Sequence, residues 1–541
     1  MWLNSPLVLL ALAGTTSAAI AATCDWATVE VAASLFGDEV APYATLVQWC
    51  SWFLWFTLNR AFSNCLEAAL TMAAVLLLVP ARGRKAHDRL PPALGFVLAG
   101  LSFAVRPSGL PMWLALGLLL LVEHGPLVAL PAAAAGGGAL AATWGVDYVF
   151  YGRFVIPQWS FVKFNLLDGM SGFANAVSPS FHWYFTQGLP AMMATYLPLL
   201  AVGAVATLGL AWTPRHALPA FAVAAAQAGM RDRSGPGAGS TRSAAVWLVA
   251  PAAAALAGLS LAAQKEFRSA LPAMQLLMPL VAVGLMGLSR TQKEVHGARV
   301  AAALLALQMP LALFFSQFHL RGGPAVASYI AARARDGTID SVHFLMPCHA
   351  TPFYSHVHHQ LPMMFLDCSP PGFRPPVTHK CIQMAPAKMT PVTVLRVGSR
   401  LQWKPAADPP RLHDEVLAHP QWWLRGLKVF KGLPSHIVMY DTTEAQVGEG
   451  VLHELGMQRC ASFFHAVLPT DHGPTKRINV WGTRCEPEAA APSRMETVDA
   501  YNMVQDALQA QGDSTRAQES NDAPSAAAEG EGGAGQQAGE L

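Results

Sequence analysis

The sequence predicts a polytopic α-helical membrane protein of about eight to ten spans, followed by a C-terminal α+β extramembrane domain and a disordered tail. Hydrophobic residues make up 53% of the 541 residues and charged residues only 13%, which is about half the charged share of a soluble domain. The apolar residues are concentrated before residue 319. A net charge of +2, without a basic tract outside short loops, argues against nucleic acid as a partner.

Uncharged runs recur through the first 318 residues, and most have the length of a spanning helix. About 20 residues are required, because each adds about 1.5 Å across a hydrocarbon core about 30 Å thick. Two shorter runs, 68–81 and 93–105, are expected to span only with support from neighbouring helices, or to re-enter. The longer runs occupy 40–58, 107–122, 126–146, 190–214, 244–263, 270–288 and 300–318.

The two ends of the chain depart from this pattern. Residues 1–23 resemble a signal peptide but lack a basic n-region, so an incomplete first membrane helix is the favoured interpretation. We assign the membrane region to 1–318 and a luminal domain with strand-like segments to 319–485. Residues 486–541 are predicted to be a disordered tail, which is small and acidic from about residue 510 onward.

The C-terminal domain holds five of the eight cysteines, and none has the CxxC spacing of a metal site. Their odd number limits the domain to two internal disulfides at most, and the sequence leaves the pairing open. A luminal, oxidising location would permit such bridges. The five are Cys348, Cys368, Cys381, Cys460 and Cys485.

Two polar segments beside apolar runs are candidate sites for a lipid phosphate. The first, 264–268, includes Lys265, Glu266 and Arg268; its cations would bind the phosphate and its carboxylate would transfer a proton or orient the substrate. The second is Arg106, a residue type suited to bidentate phosphate binding. The structural alternatives are a charged hairpin tip that caps two helices, and an arginine that anchors a helix end.

Two aromatic and histidine-rich segments are weaker candidates. Residues 181–187 contain His182 and Gln187 among rings that are typical of a membrane-interface belt. Residues 348–359 contain His349, Tyr354 and His356. Because their spacing does not match the usual zinc patterns and no acidic residue lies among them, sugar contacts or ordinary loop packing are favoured over a metal site.

The sequence lacks two motifs that are typical of enzymes acting on nucleotide sugars or nucleotides. Many nucleotide-sugar transferases hold a metal–diphosphate through a D-x-D triplet, and the sequence contains none. It also contains no GxxxxGK[ST] loop, so nucleotide hydrolysis is unsupported. We predict neither a metal nor a cofactor.

The segments around these residues resemble glycosyltransferase family 22, the dolichol-phosphate-mannose-dependent transferases of the GT-C type. QKEFRSALP at 264–272 is similar to the family's HKEFRF-type signature, and residues 58–67 are similar to its TRTxSNxxE segment. HWYFTQGLP at 182–190 fits its HWYFxQG element. The most specific matches, at 344–358 and 365–371, point to the branch that adds the third mannose to the glycosylphosphatidylinositol (GPI) precursor. Further matches lie at 147–165, 317–322 and 413–424.

The resemblance implies transfer of mannose from dolichyl phosphate mannose to the 2-hydroxyl of the second mannose on the GPI precursor glycolipid, in the endoplasmic reticulum membrane. A carboxylate would deprotonate that hydroxyl, and we predict Glu266 and Lys265 as the catalytic residues. Arg268 and Arg106 are predicted to bind the departing phosphate. The predicted substrate contacts are His182, Gln187, His349, Tyr354 and His356.

Two departures from the family pattern bear on activity. Gln264 and Ser269 stand where the signature has His and Phe. The family also has an acidic Asp-Glu pair in a luminal loop, and we expect this chain to begin after that loop, because its start resembles the following helix. Asp38 and Glu39 match a later position and receive no role. The alternatives are an inactive or truncated family member, a related transferase of N-glycan assembly, and a multi-pass transporter, which the lack of an internal repeat disfavours.

Overall fold

The computed structural model describes residues 6–79, 92–167, 180–208, 238–262, 264–290, 294–346, 350–365, 434–468 and 475–485. Within these ranges seven helices are long and apolar enough to cross a membrane, and two shorter apolar helices lie at Ser63–Leu78 and Ala93–Val105. The predicted polytopic helical class is therefore confirmed, whereas the predicted tail lies outside the described residues. The seven are Ala11–Phe36, Pro107–His124, Pro126–Tyr151, Tyr184–Leu208, Ala244–Leu261, Phe267–Ser289 and Ala298–Arg335.

The membrane region is built from α-helices joined by short 3₁₀ and π segments. The α-helices are α1 Pro6–Phe36, α2 Ala41–Cys50, α3 Trp52–Thr57, α4 Ser63–Leu78, α5 Ala93–Val105, α6 Leu110–His124, α7 Ala129–Pro131, α8 Gly137–Tyr151, α9 Pro157–Val162, α10 Leu189–Met193, α11 Leu197–Leu208, α12 Ala238–Leu261, α13 Leu271–Ser289, α14 Glu294–Ala306 and α15 Gln308–Leu313. The π segments are Ala132–Gly136, Lys163–Leu167, Tyr184–Gly188 and Phe314–Phe318.

The first helix, α1, is packed into the bundle along its second half. Cys24, Ala27, Val31 and Leu35 are buried, and their spacing of three or four residues places them on one helix face. Thr28, on the same half of the helix, donates a hydrogen bond of 3.0 Å to the amide oxygen of Gln275 in α13. These contacts agree with the interpretation of this segment as a membrane helix.

Three connections between helices meet at one end of the bundle. Arg106 contacts Ser63 and Glu67, and Arg268 lies over the ring of Phe62. We call this end, which holds Leu58, Arg106 and Glu266, the cluster face. At the opposite face Glu39, after α1, forms an ion pair of 2.8 Å with Arg290, after α13. The ends of α1 and α13 are therefore joined by an ion pair at the face opposite the cluster face.

The helix that leads into the C-terminal domain leaves the bundle at the cluster face. Phe315, in the last π segment, packs on Trp52 and Phe56 of α3, with ring centroids 4.7 and 6.1 Å apart. From α3 the chain continues directly into the segment 58–62 of the cluster face. The C-terminal domain and the polar connecting segments consequently lie on the same side of the bundle.

The uncharged run 40–58 does not form the single span that its length predicts. The helix breaks at Ser51, where the backbone is extended (φ −69°, ψ 116°), and α2 and α3 are two short helices on either side of it. The backbone N–H of Trp52 donates to the amide oxygen of Gln308 at 3.2 Å, which replaces a hydrogen bond that a continuous helix would supply. A distant glutamine thus stabilises a break that local composition does not indicate.

Two glycines bring the backbones of α11 and α13 into close contact. A Cβ atom on Gly203 would lie 1.9 Å from the carbonyl oxygen of Leu280, and one on Gly284 would lie 2.0 Å from that of Leu199. Small residues permit such backbone contact between membrane helices, whose association depends on close packing. Every described residue of α13 from Leu271 to Leu288 is buried, so this helix is the centre of the bundle.

We expect Gly203→Ala and Gly284→Ala each to destabilise the protein by about 1–3 kcal/mol, because the added methyl group forces two backbones apart. The measurement is thermal unfolding of the detergent-purified protein. Gly117→Ala, in α6, is the matched control, because nothing lies within 4 Å of its Cβ position. Equal melting temperatures for all three variants would contradict the proposed close packing.

The C-terminal domain contains a five-stranded mixed sheet of order β2-β1-β3-β5-β4. Strands β2, β1 and β3 are parallel to one another, whereas β5 is antiparallel to β3 and to β4. The α+β character that the sequence predicts is therefore present. The elements are α16 Gly322–Arg335, β1 Val342–Leu345, α17 Tyr354–Val357, β2 Met363–Phe365, β3 His436–Tyr440, α18 Asp441–Val447, α19 Glu449–Glu454, β4 Gln458–Phe464 and β5 Arg477–Gly482.

Both faces of this sheet are covered, which explains why its central strands are buried along their whole length. All four residues of β1 and all five of β3 are buried, as expected for strands with packing on two sides. A disulfide joins Cys460 in β4 to Cys485 beyond β5, with Cα atoms 5.0 Å apart. It supplies one pairing that the sequence leaves open; Cys348, Cys368 and Cys381 lie outside the described residues.

Candidate active site

Four segments that are distant in the sequence meet at the cluster face. They are the first turns of α4 with the turn before them, the turn between α5 and α6, the start of the π segment at Tyr184, and the connection between α12 and α13. Together they bring five side chains into one polar cluster inside an apolar bundle, a location where ionisable residues are usually functional. The polar cluster consists of Glu67, Arg106, Tyr184, Glu266 and Arg268.

Arg106 is held at the end of α5 by two partners on α4. Its Nε lies 3.4 Å from Oε2 of Glu67, and its Nη1 donates to the hydroxyl of Ser63 at 3.1 Å. The backbone turns sharply here, since Arg106 is extended (φ −145°, ψ 105°) and Pro107 follows at the start of a 3₁₀ turn. The Glu67 side chain is only 2% exposed, whereas that of Arg106 is 24% exposed, so the arginine remains open to a ligand.

Glu266 is positioned through its backbone by Tyr184. The Tyr184 hydroxyl donates to the Glu266 carbonyl at 3.1 Å and accepts from the Glu266 N–H at 3.2 Å. The carboxylate itself accepts from the amide of Gln264 at 2.7 Å and from Nε of Arg268. Its side chain is 31% exposed, which makes Glu266 the accessible carboxylate of the polar cluster.

Arg268 lies over an aromatic ring supplied by the turn before α4. Its guanidinium carbon is 5.0 Å from the ring centroid of Phe62, a cation–π geometry, and its side chain is 44% exposed. Phe267, the preceding residue, packs on Trp183 with centroids 4.8 Å apart. Aromatic packing therefore fixes the 264–268 segment, and the side chains of Glu266 and Arg268 remain partly exposed.

Lys265 is directed away from the reactive groups. Its ammonium donates to the carbonyl of Ala262 at 2.7 Å, at the end of α12, where a cation interacts favourably with the helix dipole. The residue is buried, and this burial lowers the pKa of its ammonium. Of the predicted catalytic and phosphate-binding residues, the structure brings Glu266, Arg268 and Arg106 together and leaves Lys265 at the edge.

The predicted substrate contacts lie in two other places. His182 and Gln187 are exposed beside the polar cluster, and Nδ1 of His182 pairs with the hydroxyl of Thr186 at 3.0 Å. Tyr354 and His356 lie on α17 of the C-terminal domain, where the Tyr354 hydroxyl donates to the carbonyl of Leu361 at 2.7 Å. His349 lies outside the described residues.

Sequence reasoning assigned no positioning role to Glu67 or Tyr184. Glu67 has a sequence signal, because it is the only charged residue in the apolar segment 63–78 and an ionisable residue within a span is a functional candidate by default. Tyr184 has no comparable signal, since its role depends on a backbone contact with a residue 82 positions away.

An apolar cavity of about 630 Å³ lies beside the polar cluster, within the membrane region. Trp113 lines it, and the indole nitrogen of Trp113 lies close to Gly109, whose Cβ position is 3.1 Å from Oε1 of Glu67. The cavity therefore begins a few ångströms from the Arg106–Glu67 pair. Further lining residues include Phe96, Phe103, Leu114 and Leu140.

A family model described as the Alg9-like mannosyltransferase family matches residues 1–358. The chain belongs to the Alg9-like mannosyltransferase family. Among curated relatives, it is 30% identical to GPI mannosyltransferase 3 of Yarrowia lipolytica, over 84% of this chain and 78% of that protein. It is 29% identical to Mannosyltransferase APTG1 of Arabidopsis thaliana, over 88% of this chain and 79% of that protein.

One human relative and one solved structure extend this comparison. GPI alpha-1,2-mannosyltransferase 3 of Homo sapiens is 26% identical over 84% of this chain and 69% of that protein. A crystal structure of ArnT from Cupriavidus metallidurans bound to undecaprenyl phosphate has a TM-score of 0.46 and 11% sequence identity, and the match covers 88% of this chain and 85% of that protein. Membership of the Alg9-like family confirms the predicted glycosyltransferase activity.

Proposed function

We propose that this Alg9-like chain transfers the third mannose of the GPI anchor, from dolichyl phosphate mannose to the 2-hydroxyl of the second mannose on the precursor. The observation that carries the proposal is the polar cluster, where one accessible carboxylate and two exposed or half-exposed arginines meet at the membrane surface. Two of the relatives named above are called GPI mannosyltransferases. The proposed location is the endoplasmic reticulum membrane, with the polar cluster at its luminal face.

The proposed reaction is a single inverting displacement. The Glu266 carboxylate takes the proton of the acceptor 2-hydroxyl as its oxygen attacks the anomeric carbon of mannose, and the bond from that carbon to the phosphate oxygen breaks. Donor β-linkage then becomes product α-linkage. Arg106 and Arg268 stabilise the negative charge on the departing dolichyl phosphate, which requires no metal ion.

The apolar cavity supports a lipid-linked donor. An isoprenoid chain needs an apolar path that begins where its phosphate binds, and the cavity begins beside Arg106 with almost entirely apolar walls. Glycines at 100 and 136 bring α5 against the π segment 132–136: a Cβ on Gly100 would lie 2.4 Å from the carbonyl oxygen of Gly136. This contact supports one wall of the path.

Two observations support a luminal cluster face. The C-terminal domain leaves the bundle at that face and carries the Cys460–Cys485 disulfide, which requires an oxidising compartment. The connection from α4 to α5 joins helix ends of the opposite face, and it carries the densest basic run between spans, Arg82, Arg84, Lys85 and Arg89. Such runs favour the cytoplasmic side.

We therefore expect a tag placed after residue 541 to be protected from added protease in sealed microsomes and to become digestible when detergent is added. A cleavage site inserted between Lys85 and Ala86 should be cut by added protease in sealed microsomes without detergent, because it is expected on the cytosolic side. Cleavage of the C-terminal tag in sealed vesicles would contradict the luminal assignment of both the domain and the polar cluster.

Purified protein is expected to transfer mannose from dolichyl phosphate mannose, and to retain this activity in EDTA, because the sequence has no D-x-D triplet and the arginines supply the charge that a divalent ion would otherwise provide. The measurement is transfer of radiolabelled mannose to a GPI precursor that carries two mannoses. GDP-mannose serves as the control donor. Use of GDP-mannose, or strong loss of transfer on chelation, would contradict the proposal.

A further inference from the structure

The C-terminal domain exposes apolar side chains at one end of its sheet. Phe464, Val467 and Leu468 are 39%, 60% and 45% exposed, and they lie at the end of β4 and just beyond it. In the described part of the chain after Phe318, the only other markedly exposed large hydrophobic residues are Leu320 and Tyr354. A contiguous exposed apolar patch of this kind marks an interaction surface. We call residues 464–468, with 475–477 of the neighbouring strand, the sheet tip.

The sheet tip lies against the place where the chain leaves the membrane. Gly322 begins α16 four residues after the π segment Phe314–Phe318, and a Cβ atom on Gly322 would lie 3.0 Å from the Cα of His465. Phe318 and Leu320, just before Gly322, are themselves 53% and 38% exposed. The apolar patch of the domain is thus continuous with the end of a hydrophobic helix.

The sheet tip is held in a defined conformation. The backbone N–H of His465 donates to the carbonyl of Lys476 at 2.7 Å, and the His465 ring packs on Tyr440 with centroids 5.3 Å apart. Ala466, between the exposed residues, is only 1% exposed. Val467 and Leu468 are therefore presented outward by a segment whose neighbours are anchored in the domain.

Cationic residues surround the exposed apolar ones. Arg477, the first residue of β5, and Lys476 just before it are exposed beside the end of β4, as is Arg321 beside Leu320. Nε of Arg477 donates to the hydroxyl of Ser462 at 2.7 Å, which holds this side chain against the last residues of β4. Apolar residues bordered by lysine and arginine are typical of segments that lie in a membrane interface, where the cations meet the phosphates of the lipid headgroups.

We propose that the sheet tip rests on the lipid bilayer at the cluster face, with Val467 and Leu468 in the interfacial region and Lys476 and Arg477 at the headgroups. The occupant of this apolar surface is lipid, because the surface continues a membrane span and has the charge border of an interfacial segment. This contact fixes the orientation of the C-terminal domain on the bilayer beside the polar cluster. It is independent of the proposed sugar donor and acceptor.

The test uses the full chain in lipid nanodiscs with an environment-sensitive fluorescent amino acid encoded at position 468. A matched control carries it at position 454, an exposed residue on α19 near the opposite end of β4, roughly 20 Å away at about 3.3 Å per residue. We expect the emission at 468 to shift to shorter wavelength and to be quenched by doxyl-labelled phospholipid, and the emission at 454 to show neither effect. Val467→Asp should remove the quenching at 468.

Formation of the Cys460–Cys485 disulfide shows whether the domain folds in the Val467→Asp variant. It is measured as the difference in the variant's mobility between non-reducing and reducing gels. Equal responses at 468 and 454 would overturn the proposal. So would a shifted emission at 468 that doxyl lipid does not quench, since protein rather than lipid would then cover the surface. Quenching that persists in a disulfide-bonded Val467→Asp variant would show that the apolar side chains are not responsible for the contact.

Discussion

Replacing Glu266 by glutamine is expected to reduce mannosyl transfer by about 100- to 10,000-fold, the usual effect of removing a general base. Glutamine keeps the shape of the side chain and can still accept a hydrogen bond from Arg268. Tyr184 contacts the Glu266 backbone, which the substitution does not change. The loss should therefore appear in kcat, with little change in the KM for the lipid donor.

The matched control is Glu39→Gln, which removes a carboxylate that also pairs with an arginine but lies at the opposite face of the bundle. Its side chain is 71% exposed, so we expect wild-type transfer and a nearly unchanged melting temperature. Measured in the same radiolabel assay, near-normal activity of Glu266→Gln would show that Glu266 is not the base. If the wild-type chain itself were inactive, the alternative that it is a catalytically inactive family member would be favoured instead.

The positions of the long helices could be predicted from the sequence because they depend on local composition. The runs 244–263 and 270–288 correspond to the observed spans Ala244–Leu261 and Phe267–Ser289, since neutral apolar residues of sufficient length form helices in a bilayer whatever their neighbours are. The run 40–58 satisfies the same rule and still breaks, because Gln308 supplies a hydrogen bond from elsewhere in the chain.

The candidate site could be predicted only in part, because a cluster of side chains is a property of the tertiary structure. The charges of 264–268 and Arg106 are visible in the sequence, since they interrupt or border apolar runs. Their proximity is not visible: Glu67 and Arg106 are 39 positions apart along the chain, and the Cys460–Cys485 disulfide selects one pair among several that the sequence allows. Lys265 is the opposite case. Its charge is visible in the same segment of the sequence, but its ammonium donates to a backbone carbonyl instead of joining the polar cluster.

The ion pair of Arg106 with Glu67 leads to the second large expected effect. Glu67 is almost completely buried, so Arg106→Ala would leave a carboxylate without its cationic partner in an apolar bundle. Removing one partner of a fully buried pair typically costs about 3–5 kcal/mol, and we expect the lower part of this range because the Arg106 side chain is 24% exposed. We expect Arg106→Ala to lower the melting temperature strongly and to abolish transfer, and this variant alone does not separate the two causes.

The double variant Glu67→Gln/Arg106→Ala separates loss of transfer caused by unfolding from loss of transfer caused by the missing arginine. With the buried charge removed, we expect most of the lost stability to return, because glutamine is neutral and far less costly to bury than an unpaired carboxylate. Transfer should remain at least about 100-fold below that of wild type, the usual cost of losing one group that stabilises developing charge. If the double variant recovered activity together with stability, Arg106 would be a structural partner of Glu67 and would have no role in binding the donor phosphate.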